Sequence, residues 1–220
     1  ARASANLSLD LHDDKPDSFH VALRRTDTGT DRVLATYRAN AHPLLTVDVS
    51  GEAGGILSRA IGAPDKALHV QANGDGNAQT GSQHFQATLG DTEILTGQIQ
   101  WTPTHWAGSA RARIDQLPGF GEFARRVGST ITASADGMRT GRFAGHVETP
   151  FIALDLTGAS DTHAAIAGPA HVIATTRNLS DIARESPFPL GAARLEGDVR
   201  HARGVTAIRA RLTNAAAEVF

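Results

Sequence analysis

The sequence predicts an all-β protein, because apolar and polar residues alternate along most of it and turn-forming residues recur between the alternating stretches. Successive side chains of a strand point to opposite faces, so a two-residue period collects the apolar groups on one face. Turn residues at intervals of roughly 8 to 12 residues favour hairpins that follow one another along the chain. We therefore expect an elongated antiparallel meander with one apolar face.

The alternation gives about fourteen strands. Polar residues such as Asp10, His20, Gln71, Arg111 and Asp155 occupy the intervening positions, which predicts that the second face of the sheet meets water. The predicted strands centre on residues 7–11, 19–23, 33–37, 45–49, 68–72, 85–89, 95–101, 106–114, 131–135, 143–147, 152–156, 172–174, 195–199 and 208–212.

The apolar face of this sheet is the candidate site. It must be hidden in a sandwich, a closed barrel or a curled open sheet whose concave side holds a ligand, and the number of strands favours the curled sheet. Small residues such as Ala72, Ala110, Ala133 and Gly145 would leave room for a guest. The predicted lining residues are Leu7, Leu9, Leu11, Phe19, Val21, Leu23, Val33, Tyr37, Leu45, Val47, Val49, Leu68, Val70, Phe85, Leu89, Leu95, Ile99, Trp101, Trp106, Ile114, Ile131, Phe143, Val147, Ile152, Leu154, Leu156, Val172, Leu195, Val199, Ile208 and Leu212.

Three segments break the alternation, at residues 54–62, 118–128 and 179–191. Each has apolar residues three or four apart and ends in glycine, which predicts a short helical turn. The segments recur at an interval of about 65 residues, which indicates stacked units. We therefore expect one elongated segment built from weak repeat units, which cover residues 1–62, 63–128, 129–191 and 192–220.

Composition argues against several classes of protein. The 21 Lys and Arg residues are balanced by 23 Asp and Glu residues, so no basic surface for nucleic acid is expected. Without cysteine, the chain has no disulfides and no thiolate metal site. No apolar run approaches the roughly 20 residues that span a bilayer.

The motifs of common active sites are missing, so we expect no catalytic residue, no metal and no cofactor. A turn is favoured over a phosphate loop at Gly119-x-Gly121 and over a calcium loop at residues 73–77. His163 and His171 could meet in space, although surface positions are favoured. Trp101 and Trp106 could stack on a ligand, but pinning a hairpin is the favoured interpretation.

Four stretches carry a resemblance to a known family: APDKALHVQANGDG at 63–76, LPGF at 117–120, VETPFIALDLTG at 147–158 and PLGAARLEG at 189–197. Together with the meander that runs through both tryptophans, they resemble the TamB (translocation and assembly module) proteins of Gram-negative envelopes, within the AsmA-like group. The resemblance lies in the composition and in the spacing of apolar residues, and it extends over most of the chain. Neither the membrane anchor nor the carboxy-terminal domain of that family is identifiable, so we expect an internal segment of a longer chain.

The resemblance implies a long sheet folded lengthwise into a trough, or β-taco, with an apolar interior. It implies a periplasmic location, an inner-membrane anchor elsewhere in the full-length protein, and transport of phospholipid between the inner and outer membranes. An Omp85-type outer-membrane protein is the implied partner. A strand of five or six residues is about 17 to 20 Å long, comparable to an acyl chain, so an apolar concave face could hold lipid tails.

Three hypotheses follow. The leading one is a lipid-conducting groove, the second is a structural or adhesive β-solenoid with a closed core, and the third is an enzyme whose site we do not find. Exposed sheet edges also allow two copies of the segment to pair, by edge strands or by apolar faces.

Overall fold

The computed structural model describes residues 2–12, 15–39, 44–77, 79–160, 170–183, 190–202 and 205–214. Within them the chain forms one antiparallel meander of 14 strands, in which each strand pairs with the next one along the sequence. The order begins at β1 and ends at β14, so the sheet is not closed. This confirms the predicted all-β meander with few short helices, and its curvature into a trough stays a prediction.

The strands follow the predicted alternating segments. They are β1 (Ala3–His12), β2 (Lys15–Arg25), β3 (Arg32–Arg38), β4 (Leu45–Gly51), β5 (Leu68–Gly76), β6 (Gly81–Leu89), β7 (Thr92–Trp101), β8 (His105–Arg113), β9 (Thr130–Met138), β10 (Gly141–Glu148), β11 (Ile152–Ser160), β12 (Ala170–Thr176), β13 (Ala193–Ala202) and β14 (Val205–Asn214).

Short helical elements occur in all three segments where the alternation breaks. Helix α1 (Ile56–Ala60) follows β4, helix α2 (Gly121–Val127) follows β8, and a 3-10 turn (Leu179–Asp181) follows β12. Another 3-10 turn, Ile114–Gln116, directly precedes the segment that leads to α2. A helical element therefore recurs after every fourth strand.

The chain divides into two compact units. Unit 1 comprises Ala1–Pro103 and Gln116–Gly119, and unit 2 comprises Thr104–Asp115 and Phe120–Phe220. Because neighbouring strands are antiparallel, even-numbered strands all end at the same side of the sheet, and each helical element follows an even-numbered strand. In each unit we call this side the helix end of the strands, and the opposite side the turn end.

Most of the buried apolar residues lie at the helix end. In unit 1, Ala63, Ala87, Leu89 and Ile94 form a cluster against which Val70, Leu95 and Leu117 pack. In unit 2, the buried residues of the helix end are Ile114, Ala124, Val127 and Ala193. Two buried apolar residues, Leu44 in unit 1 and Ala170 in unit 2, lie at the turn end instead.

Helix α1 is held by a carboxylate from another part of the chain. Asp31, in the turn between β2 and β3, accepts hydrogen bonds from the backbone N–H groups of Glu52 at 3.1 Å and Ile56 at 2.6 Å. The second bond satisfies a donor in the first turn of the helix. The Arg25 guanidinium lies 3.6 Å from Asp31 and 3.1 Å from Glu52, which balances the charge of the buried Asp31.

Arg25 also pairs with Asp27. The side-chain hydrogen bond from Arg25 lowers the pKa of Asp27, and the backbone N–H groups of Gly29 and Arg2 donate to the same carboxylate and add to that effect. The same bond raises the pKa of Arg25. Asp27 is exposed to water, so this pair adds little to stability.

Candidate apolar binding face

The register of unit 1 aligns the predicted apolar residues across seven strands. Residues that pair along the ladder occupy one row and share one face, because the side-chain period along a strand is two. The turn row is Leu9, Phe19, Tyr37, Leu45, Gly74, Gln83 and Ile99. The middle row is Leu7, Val21, Ala35, Val47, Ala72, Phe85 and Gly97. The helix row is Ala5, Leu23, Val33, Val49, Val70, Ala87 and Leu95.

Unit 2 has corresponding rows made of smaller residues. Its turn row begins Trp106, Gly137, Phe143, Gly158 and continues with Ala170, Val199 and Ile208 on the last three strands. The middle row is Gly108, Ala135, Gly145, Leu156, Val172, Gly197 and Ala210. The helix row is Ala110, Ala133, Val147, Leu154, Ala174, Leu195 and Leu212.

The remaining predicted lining residues lie outside these rows. Leu11 and Trp101 lie beyond the turn row of unit 1, while Leu68 and Leu89 lie beyond its helix row, where they are buried. In unit 2, Ile131 and Ile152 lie beyond the helix row.

Two predicted lining positions, Ile114 and Ile208, differ from the others. Ile114 ends up in the 3-10 turn after β8, where its N–H donates to the Ser129 carbonyl, and it is buried instead of standing on an open strand. The side chain of Ile208 lies outside those that the structure describes.

Several large apolar side chains on this face are open to solvent. Leu7 is 73% exposed, Leu9 57%, Leu195 40% and Leu212 60%, and Leu23 and Ile99 also rank among the exposed large apolar residues. Exposure of such side chains to water is unfavourable by about 25 cal/mol per Å² of apolar surface. A contiguous apolar face of this kind is typical of a binding surface.

Aromatic rings concentrate at the turn end of the apolar face. Phe19 and Tyr37 stack with their ring centroids 5.5 Å apart. The Trp101 ring covers Gly81, and its indole N–H donates to the Asn77 carbonyl at 2.8 Å. In unit 2 the Phe143 side chain lies against both Gly137 and Gly158, where any added Cβ would collide with it.

A β-bulge adds a lining residue that the alternation did not predict. The ladder between β6 and β7 shifts at Ala87/Thr88. Glu93 and Leu95 pair with these two consecutive residues of β6, so Ile94 between them has no partner on β6. The extra residue lets Ile94 and Leu95 both reach the same apolar cluster although they are consecutive. A bulge leaves little trace in hydrophobic spacing, which is why the sequence pattern assigned only Leu95 to this face.

The opposite face of unit 2 is polar. His146 Nδ1 lies 2.7 Å from Asp155 Oδ1, and His171 lies 3.2 Å from Asp198 and 3.4 Å from Glu196. A hollow of about 820 Å³ lies over the short side chains of β10 and β11 on this face. Its rim carries charges of both signs, including Arg142, Asp136 and Asp198. The hollow is wide and open, and these side chains do not form an arrangement that indicates a particular reaction.

Side chains with metal-binding chemistry do not converge in the described part of the chain: no group of three or more His, Asp or Glu residues there could hold a metal ion. Residues 73–77, for which the sequence favours a turn over a calcium loop, form the end of β5 and the start of a hairpin turn in which Asn77 Oδ1 accepts from the N–H groups of Gln79 and Thr80. Gly119 has a positive φ of 81° and precedes α2, as a turn glycine would. His163 lies outside the described residues, and the His171 ring contacts the carboxylates of Glu196 and Asp198 on β13.

Comparison of the chain with protein-family models, with curated proteins and with solved structures found no match. None of the helices in the described ranges is both long enough and apolar enough to cross a membrane.

Proposed function

We propose that this chain is a segment of a lipid-transport protein whose apolar sheet face carries the acyl chains of phospholipids. The observation that supports this proposal most is the register, which aligns apolar rows from strand to strand while leaving several of their leucines open to water. An acyl chain laid on such rows removes apolar surface from water on both partners. The gain is about 0.8 kcal/mol for each CH₂ group that becomes buried.

The small residues of unit 2 fit a mobile guest better than a fixed core. Its middle row contains Gly108, Ala135 and Gly145, and at Gly145 the nearest atoms to an added Cβ would lie 3.8 Å away, so there is room above the backbone. Protein cores pack at the density of organic crystals, so a row of such short side chains needs a covering group to reach that density. A flexible acyl chain can supply that cover without a specific shape.

The biological setting is part of the proposal and rests on the resemblance to the TamB family. In that setting the full-length protein is anchored in the inner membrane and bridges the periplasm to the outer membrane, where it works with an Omp85-type partner. The polar face of the sheet would meet the aqueous compartment, while the lipid headgroups remain hydrated beside the apolar face.

A structural solenoid segment is the second candidate. The cluster at the helix end and the recurrence of a helical element after every fourth strand favour it, because stacked units bury a continuous core between them. The two candidates differ in what the exposed leucines do: they bind lipid in a groove, whereas they stabilise packing in a closed solenoid.

Native mass spectrometry of the purified chain, combined with lipid extraction, separates these candidates. We expect phospholipid to co-purify with the wild-type chain and to be lost from Leu195→Asp, which places a charge beside its row neighbour Leu212. The matched control is Ser109→Asp, at an exposed position of the polar face. Retention of lipid by a folded Leu195→Asp variant, or its equal loss from both variants, would contradict the proposal.

A further inference from the structure

We infer that a phospholipid bound to this face lies along the strands, with its headgroup at the turn end and the methyl ends of its acyl chains toward the helix end. This inference rests on the proposed function and adds an orientation to it. It follows from two differences between the two ends of the strands, namely the aromatic rings and the covered core, and from the distance between rows.

The aromatic side chains of unit 1 mark the turn end as a boundary between apolar surface and water. Tyr37 and Trp101 each combine an apolar ring with a polar group, and Trp101 directs its N–H to a backbone carbonyl in the hairpin at that end. Such rings favour positions where one side is apolar and the other is wet, which is where a headgroup meets its acyl chains. The helix row of unit 1 consists of Ala, Val and Leu only.

Unit 2 shows the same bias independently. Trp106 and Phe143 both belong to its turn row, whereas its middle and helix rows hold only glycine and aliphatic residues. The Phe143 Cβ lies against Gly137 and its ring lies against Gly158, so glycine at both positions leaves the space that this side chain occupies. Each unit thus places two rings in its turn row, Phe19 and Tyr37 in unit 1 and Trp106 and Phe143 in unit 2.

At the helix end of β5, β6 and β7 in unit 1, a covered apolar cluster excludes a charged headgroup. In unit 1, Leu89 is 1% exposed and Ile94 is 7% exposed, and Leu117 packs over them. A phosphate pressed against this apolar cluster would lose hydration, which is unfavourable for an ionised group. Methyl ends of acyl chains suit this apolar surface.

The dimensions agree with a lipid that lies parallel to the strands. Residues two apart on a strand are separated by about 7 Å, so the three rows of one unit span about 14 Å. The hydrocarbon core of a bilayer is about 30 Å thick, and each acyl chain therefore covers about 15 Å. One acyl chain can reach from the turn row to the helix row while its headgroup remains beyond the rings.

Intrinsic fluorescence can test this orientation, because the chain has only two tryptophans and both lie at the turn end. The variant Trp106→Phe leaves Trp101 as the reporter of the turn end of unit 1. Leu23→Trp, made in a background where both native tryptophans are Phe, reports on the helix row of the same unit. Each reporter is loaded with phosphatidylcholine that carries bromine either near the carboxyl end or near the methyl end of its acyl chains.

We expect Trp101 to lose more fluorescence to bromine near the carboxyl end, and Leu23→Trp to lose more to bromine near the methyl end. If Leu23→Trp does not fold, Ala5→Trp places the reporter in the same row on an exposed strand. The same order of quenching at both ends, or the reverse order, would overturn the orientation while leaving lipid binding intact. No quenching by either lipid, together with no phospholipid in native mass spectra, would overturn the proposed function itself.

Discussion

In unit 1, the apolar residues at the helix end of β5, β6 and β7 and those along the open strand β1 serve different purposes. At the helix end of unit 1, Leu89 and Ile94 are buried under the segments that connect the strands. Toward the turn end and along β1, Leu7 and Leu9 face solvent although they belong to rows that run across the whole unit. The difference teaches that alternation fixes which face a residue joins, whereas the connections decide whether that residue contributes to stability or remains free to bind.

The largest effect is expected in the core of the helix end. Leu89→Ala removes a side chain that is 1% exposed and leaves a cavity in the cluster with Ala63 and Ile94. The free energy of unfolding should fall by about 2 to 5 kcal/mol, measured by urea denaturation. A loss below about 1 kcal/mol would show that this cluster is not the stabilising core of unit 1.

A smaller loss is expected when the carboxylate that holds α1 is changed. Asp31→Asn keeps the shape of the side chain but replaces one of its two acceptor oxygens by an amide group, so that either Glu52 or Ile56 loses its partner. Denaturation should report a loss of about 1 to 3 kcal/mol. The matched control is Asp48→Asn, which removes an exposed ion pair with Arg32 and should cost less than about 1 kcal/mol. Equal losses in the two variants would contradict the role of Asp31.

Little change in stability is expected on the open part of the face. Leu7→Ser alters a residue that is 73% exposed, so most of its apolar surface already meets water in the folded protein. We expect the free energy of unfolding to change by less than about 0.5 kcal/mol, which thermal and urea denaturation can both check. A loss as large as that of Leu89→Ala would mean that the β1 leucines are part of a core.

The smallest effect concerns acid. Because the pKa of Asp27 is lowered in the folded chain, its contribution to stability is present above the ordinary value of 3.8 and is lost as the pH falls through the folded value. Asp27→Asn removes the charge and keeps an acceptor for Gly29. The variant should melt slightly below the wild type at pH 7, and the two melting temperatures should converge at a pH below the folded pKa. A gap that stays constant with pH would contradict the linkage.

Much of the sheet could be predicted from the sequence because the two-residue period is regular. Alternation placed Leu7, Val21 and Val47 on one face, and the ladder aligns them in one row. Helical segments were predictable where apolar spacing changed and glycine followed, as at Gly62 and Gly128.

Other features depend on contacts that a local pattern does not contain. Asp31 caps a helix 25 residues away, and nothing in the turn around it predicts that partner. The bulge at Ile94 depends on how β6 and β7 align. The end at which the face is covered depends on Leu117, which returns from a distant part of the chain to pack on the cluster of unit 1.

The most direct test of the central claim is to measure stability and lipid binding together in Leu9→Asp and Leu89→Ala, two variants of the same unit. If the open rows bind lipid while the helix end supplies stability, Leu9→Asp loses its phospholipid and keeps its free energy of unfolding within about 1 kcal/mol of wild type. Leu89→Ala should be destabilised by about 2 to 5 kcal/mol and still carry phospholipid. Loss of stability in both variants, with no phospholipid on the wild-type chain, would show that the apolar face is the closed core of a structural solenoid.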